Sequence, residues 1–148
     1  FLLVKNDIEQ LIVFSTNNAV LVMIFIEISA ALTCFLLFDP VIKFAVSPVE
    51  ATAMLNHENA VVLDTRSMTE FKTGHIVGAI NIPLNNLSKQ LKPLEKHKGQ
   101  PIIAVCRSGS RSAMACKTLK KAGFENVHNL KGGIMAWENA SLPVKRKS

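Results

Sequence analysis

Apolar and polar positions divide the chain at residue 38. From Ala19 to Phe38 it runs AVLVMIFIEISAALTCFLLF, twenty residues with one charge, closed by Asp39-Pro40. A helix rising ~1.5 Å per residue across this stretch matches a ~30 Å hydrocarbon core, which predicts a single transmembrane helix over 19–38. Glu27 near its centre costs roughly 2.5–3.5 kcal/mol, while the strongly apolar residues around it return roughly 0.3–0.6 kcal/mol each, so insertion wins. Residues 1–18 form an N-terminal flank with Ile8, Leu11, Ile12 and Phe14 at helical spacing. That flank has no basic cluster, and Pro48 follows the small-residue site Ala45-Val46-Ser47, so the stretch reads as an uncleaved anchor. Residues 39–43 read as a linker.

Beyond it the pattern changes to short apolar runs alternating with helical spacing. Phe44–Ser47 is a short strand. Ser47-Pro48-Val49-Glu50 opens a helix as a capping box with Pro at the first position, and that helix ends near Asn56. Ala60–Asp64 is an apolar strand ending in an acid. Ser67 and Glu70 make a second capping box for a helix to Thr73. Gly74–Pro83 holds a turn and a short strand, and Leu84, Leu87, Leu91 and Leu94 predict one amphipathic helix. Pro101–Val105 is the next strand, Ser110–Ala122 a helix stopped by Gly123, Phe124–Leu130 the last strand, and Lys131–Trp137 the turn into a last helix. Apolar strands alternating with helices predict an α/β fold with a parallel sheet covered on both faces, and ligands in such sheets sit outside the carboxyl ends of the strands. Asp64 and Cys106 both fall at such ends.

Charge sharpens the division. Of 17 Lys and Arg and 11 Asp and Glu, residues 1–38 hold one and three, leaving the rest with 16 basic against eight acidic residues, net +8. The basic flank follows the apolar stretch, which predicts a single-pass protein of the cell (inner) membrane with its C-terminal part facing the cytoplasm. The lysines are scattered and Tyr is absent, so no nucleic-acid partner is expected; an anionic small molecule or an anionic lipid surface fits the charge better. Three cysteines without a CxxC, and no His at ligand spacing, predict no metal and a reducing compartment.

The candidate chemistry lies in Val105-Cys106-Arg107-Ser108-Gly109-Ser110-Arg111-Ser112. A thiol between a strand and the N-terminal end of a helix meets unpaired N–H groups and the positive end of the macrodipole, which lower its pKa; Arg107 and Arg111 are expected to push the same way. Cys106 is therefore the candidate nucleophile. Ser108, Gly109, Ser110 and Ser112 supply a cradle of backbone N–H groups, and Arg107 and Arg111 can hold an anionic part of a substrate. Arg66 is placed on the rim of the same site. Asp64 is expected to orient the loop or Arg66, and His75 to bond backbone. Cys116 shares a helical stripe with Ala113 and Leu119 and reads as buried, as does Trp137. Residues 144–148 read as a basic solvated tail.

Leu63-Asp64-Thr65-Arg66, Gly74-His75-Ile76 with Gly78–Pro83, the Cys106–Ser112 loop, Ala122-Gly123-Phe124 and Leu130–Trp137 together resemble a single-domain rhodanese over residues 44–143. The anchor in front makes the chain similar to membrane-tethered rhodanese-like proteins. The resemblance implies a five-stranded parallel sheet flanked by helices, no cofactor, and a sulfurtransferase. In that chemistry Cys106 takes the sulfane sulfur of thiosulfate or a persulfide and hands it to a thiol, cyanide or a protein acceptor. Arg111 lies five positions after Cys106, a tighter loop than the Cys-x5-Arg of related phosphatases, which disfavours phosphate. The alternative is a rhodanese-fold interaction module at the membrane that binds a partner without turnover. The partners implied are a small anionic sulfur donor, a sulfur acceptor, and the lipid bilayer through 19–38.

Overall fold

The computed structural model describes residues 2–38 and 44–146, and the chain divides into two units, Phe1–Pro40 and Val41–Ser148. In the first unit α1 (Leu2–Asn17) and α2 (Ala19–Phe38) meet at Asn18, whose side-chain amide donates to the Phe14 carbonyl at 3.0 Å. Among the described residues no single helix is long and apolar enough to cross a membrane. Asn6–Phe14 and Ala19–Cys34 reach that length only together, across a bend of 90°. The helix expected over 19–38 forms as α2, whereas a membrane span made by a single helix is not found among the described residues. The predicted linker 39–43 lies outside the described residues.

The second unit contains β1 (Ala45–Val46), α3 (Pro48–His57), β2 (Val61–Asp64), α4 (Met68–Thr73), β3 (His75–Ile76), β4 (Ile80–Asn81), α5 (Leu84–Leu87) and α6 (Lys92–Glu95). It continues with β5 (Ile102–Val105), α7 (Ser110–Lys121), β6 (Val127–Leu130), α8 (Gly133–Asn139) and β7 (Val144–Lys145). Five strands form one parallel sheet in the order β1-β6-β5-β2-β4. Side chains alternate across β5. Ile102 and Ala104 join Leu63, Leu87, Leu119 and Phe124 on one face, while Ile103 and Val105 join Ala51, Leu130, Ile134 and Trp137 on the other. A strand sandwiched this way must be apolar at every position, which is why it reads as an unbroken run.

Both capping boxes form: Ser47 and Ser67 accept from the N–H of Glu50 and Glu70, whose carboxylates accept the return bonds. Three expectations need correction. The amphipathic helix over 84–94 is two short helices, because Lys89 N–H turns back to Asn86 and Pro93, with no N–H to donate, sits in the first turn of α6. The last strand starts at Val127, since Phe124 belongs to the end of α7. Its N–H reaches Leu119 and that of Gly123 reaches Lys120, the paired bonds of a Schellman closure. The basic tail is partly structure, for β7 pairs antiparallel with β3 and Val144 packs on the core; Lys147 and Ser148 lie outside the described residues.

Candidate active site

β2 and β5 are neighbours in register, Asp64 beside Val105, so the two strand ends singled out in the sequence share one edge. Thr65 ties them. Its N–H and hydroxyl both donate to the Val105 carbonyl, at 2.8 and 2.9 Å, immediately before Cys106. Neither the motif nor its spacing identified Thr65, because one hydroxyl next to a strand carries no pattern of its own.

Cys106 is completely buried beneath its loop. Its Sγ accepts from the Gly109 N–H at 3.1 Å and from the Ser112 hydroxyl at 3.3 Å. Gly109 is the N-cap of α7, with φ +105 and no side-chain cap, so it leaves the first N–H groups of the helix free to face sulfur. The Ser112 hydroxyl also lies 3.1 Å from the Gly109 carbonyl. It has one proton, and a thiolate draws that proton from the carbonyl to Sγ. Burial pushes the Cys106 thiol up, but the Ser112 hydroxyl and the backbone N–H groups of Ser112, Gly109 and Ser108 outweigh it and hold the pKa below the ordinary 9.0. The cradle rather than the arginines makes the thiol acidic.

The reason lies in how the arginines are spent. Arg111 forms a bidentate pair with Glu70 of α4, at 2.7 and 2.9 Å. That pair and the Ser67 bonds bring the Glu70 pKa down to about 2, its modest burial pulling the other way. Glu70 in turn holds Arg111 above its ordinary value, with smaller help from Cys106 and Asp64. The sequence shows only the capping role of Glu70, since its second partner is 41 residues away. Arg66 is buried, and its guanidinium binds both oxygens of Asp64 and donates to the Gly74 carbonyl at 2.7 Å. Instead of standing on an open rim, it forms the floor beside the loop, with Asp64 orienting it. Arg107 is exposed and, among the described residues, has no ion pair.

His75 bonds backbone as expected. Its Nδ1 meets the Phe71 carbonyl at 2.8 Å and its ring stacks on Phe71 at 3.8 Å. Cys116 is buried, which pushes its thiol up to about 12 and makes it inert at neutral pH. Trp137 packs in the core and donates to the Pro143 carbonyl. Asn129 of β6, unmarked in the sequence, donates to the Gly109 carbonyl at 3.1 Å and braces the cradle from behind.

Two hollows flank the loop. One, about 560 Å³, lies against Ser108, Gly109 and Ser110, with Asn129 and Lys131 on its far side. The other, about 320 Å³, is a groove between α4 and α8 walled by Glu70, Arg107, Met135 and Glu138 over Arg66. No cluster able to hold a metal ion occurs among the described residues.

Ser112→Ala should raise the pH at which Cys106 becomes reactive and slow its alkylation at neutral pH by about tenfold, the loss of one hydrogen bond to a charged group. A pH profile of alkylation rate reads the inflection; an unmoved profile would deny the hydroxyl its role.

Residues 47–140 match the rhodanese-like domain family. The chain is 42% identical over 98 residues to the uncharacterized protein YibN of Escherichia coli (strain K12), covering 66% of this chain and 68% of that one. It is 38% identical to a putative sulfur carrier protein, YrkF, of Bacillus subtilis (strain 168), over 54% of this chain and 42% of the relative. It is also 36% identical to a tRNA uridine(34) hydroxylase of Buchnera aphidicola, over 68% of this chain and 34% of the relative. Among solved structures, a rhodanese-related protein from Thermoplasma volcanium superposes with a TM-score of 0.62 at 30% identity, over 68% of this chain and 96% of that one. The parallel sheet, the cysteine cradle at its edge and these matches agree: the chain belongs to the rhodanese-like family.

Proposed function

We propose that the protein is a sulfurtransferase. It takes a sulfane sulfur from thiosulfate or a persulfide onto Cys106 and passes it to a thiol, cyanide or a protein acceptor. The observation that carries this reading is the Cys106 Sγ, buried yet held acidic by the Gly109 N–H and the Ser112 hydroxyl. The Cys106 thiolate attacks the outer sulfur of the donor. A new S–S bond forms at Sγ, the donor's own S–S bond breaks, and the leaving sulfite or thiolate keeps its electron pair. The product Cys106–S–S⁻ lies among the N–H groups that stabilised the thiolate, so the cradle serves both states. The acceptor thiolate or cyanide then attacks the terminal sulfur and frees Cys106. The similarity to a putative sulfur carrier supports this chemistry. Incubation of the chain with thiosulfate or a persulfide should add one sulfur atom to Cys106 by intact-mass analysis. No adduct with any sulfane donor would overturn the reading in favour of a binding module.

The first unit supports a membrane location. Val20, Leu21, Phe25 and Ile28 of α2 are all exposed, and large apolar side chains crowded on one helix in this way need an apolar environment. On this reading residues 1–38 hold the basic domain at the cytoplasmic surface of the cell membrane. The protein should sediment with membranes and resist alkaline extraction, and a chain lacking residues 1–38 should be released; full extraction of the intact chain at alkaline pH would refute the attachment.

A further inference from the structure

The groove beside the cradle has a charge pattern that the transfer step leaves unused. Its walls carry Arg107 from the cysteine loop, Glu70 from α4 and Glu138 from α8, with Thr73 and the exposed Met135 between them. Glu70 already answers Arg111, and Arg66 on the floor answers Asp64. Among the described residues Arg107 and Glu138 have no ion pair, so one cation and one anion remain open to a ligand in the same groove. The groove borders the cysteine loop at Arg107, the residue that follows Cys106. The Ile134 N–H donates to the Cys106 carbonyl at 2.8 Å and the Met135 N–H to the Arg107 carbonyl at 3.3 Å, which fixes the wall bearing Glu138 against the loop.

We propose that this groove seats the body of the sulfur donor and selects an amino-acid persulfide, its carboxylate on Arg107 and its ammonium on Glu138, over the dianion thiosulfate. The inference rests on the sulfurtransferase reading and names its donor class. Thiosulfate brings two negative charges and no cation to a place where Glu138 and the back of the Glu70–Arg111 pair repel them. A zwitterion leaves neither open charge unanswered. Its size fits too: about 320 Å³ is at the small end of ligand sites, ample for one amino acid. The hollow on the other side of the loop offers Lys131 and no acid, so it has no place for an ammonium group. The step conserves charge and atoms. Cys106–S⁻ and R–S–SH give Cys106–S–S⁻ and R–SH, with no external oxidant or reductant: the new S–S bond forms at Sγ, the donor's S–S bond breaks, and the persulfide proton ends on the departing cysteine thiol.

The test compares cysteine persulfide with N-acetylcysteine persulfide, which keeps the carboxylate and lacks the ammonium, and adds thiosulfate, with cyanide as the common acceptor. For the whole chain in detergent, kcat/KM should favour cysteine persulfide over its acetylated form by about fivefold, the size of one partly exposed charge pair. In Glu138→Gln that preference should vanish while kcat/KM for thiosulfate rises about twofold, and Glu138→Asp should restore most of the preference. Equal use of the two persulfides by the native chain, or a preference that survives Glu138→Gln, would overturn the inference while leaving the transferase reading intact. Failure of Cys106 to take sulfur from any of the three would instead defeat that reading itself.

Discussion

Cys106→Ser is expected to abolish sulfur transfer, lowering kcat/KM with every donor by at least ~10³-fold, to the uncatalysed background. The effect is large because the covalent intermediate disappears entirely: a serine oxygen cannot accept a sulfane sulfur into a stable S–S bond. The Gly109 and Ser112 donors would remain, facing an oxygen that stays protonated at neutral pH. Stability should change little, since the side chain is nearly the same size in a cradle already lined with donors. Cys116→Ser supplies the comparison. That thiol is buried and pushed up to about 12, so its removal should leave transfer unaffected, at some cost in stability for a hydroxyl in the core. Steady-state transfer to cyanide, with thermal unfolding alongside, measures both. Transfer that persists in Cys106→Ser at even a tenth of the native rate would exclude the persulfide route.

Gly133→Ala should be the most damaging change away from the sulfur. Gly133 has φ +60, and a Cβ there would run into the Cys106 carbonyl oxygen and come within 2.6 Å of the Arg107 carbonyl group. Left-handed backbone costs a non-glycine residue ~1–2 kcal/mol, and the clash with backbone adds to it, for a total of about 3 kcal/mol or more. Only a movement of α8 away from the loop relieves the contact. That movement stretches the bonds from Ile134 and Met135 to the Cys106 and Arg107 carbonyls and displaces Sγ from the Gly109 N–H. A shift of ~1 Å in a reacting atom costs ~10²-fold in rate. Gly123→Ala separates strain from collision. It also has positive φ, +86, but nothing stands within 4 Å of the added methyl group, so it should cost ~1 kcal/mol and leave the rate unchanged. If Gly133→Ala matches Gly123→Ala in both Tm and rate, the close packing of α8 on the cysteine loop has no functional weight.

Much of the fold could be read along the chain because its signals are local. The unbroken apolar runs at Val61–Leu63 and Ile102–Val105 require burial on both faces, and both capping boxes need only four consecutive residues. Where local signals mislead, a neighbour has intervened. Leucines at 84, 87, 91 and 94 keep helical spacing across a broken segment because the same core cluster takes Leu87 and Leu94 from α5 and α6 separately. Phe124 has strand-like character, yet it closes α7 because Leu119 lies beneath it in that cluster. Val144 and Lys145 looked like the start of a solvated tail, and their strand exists only because β3 is there to pair with them. The apolar content of 19–38 is plain in sequence, whereas the bend at Asn18 depends on how two helices meet.

The candidate site divides along the same line. Residues 101–121 alone determine that a cysteine stands between a buried strand and a helix start, beside a glycine that can turn its N–H inward, and this suffices for a nucleophile in an anion cradle. Charge pairing could not be read that way, because it depends on distances between residues far apart in the chain. Three arginines, at 66, 107 and 111, appear equivalent as neighbours of one site. Folding gives Arg66 to Asp64, buries that pair, and gives Arg111 to Glu70 across 41 positions, so that of the three Arg107 alone keeps an open charge, in a groove that Glu138 also lines. Local sequence thus decides where a thiolate is stable. The tertiary structure decides which charges remain to meet its substrate, because a charge already paired in the fold has little left to offer a ligand.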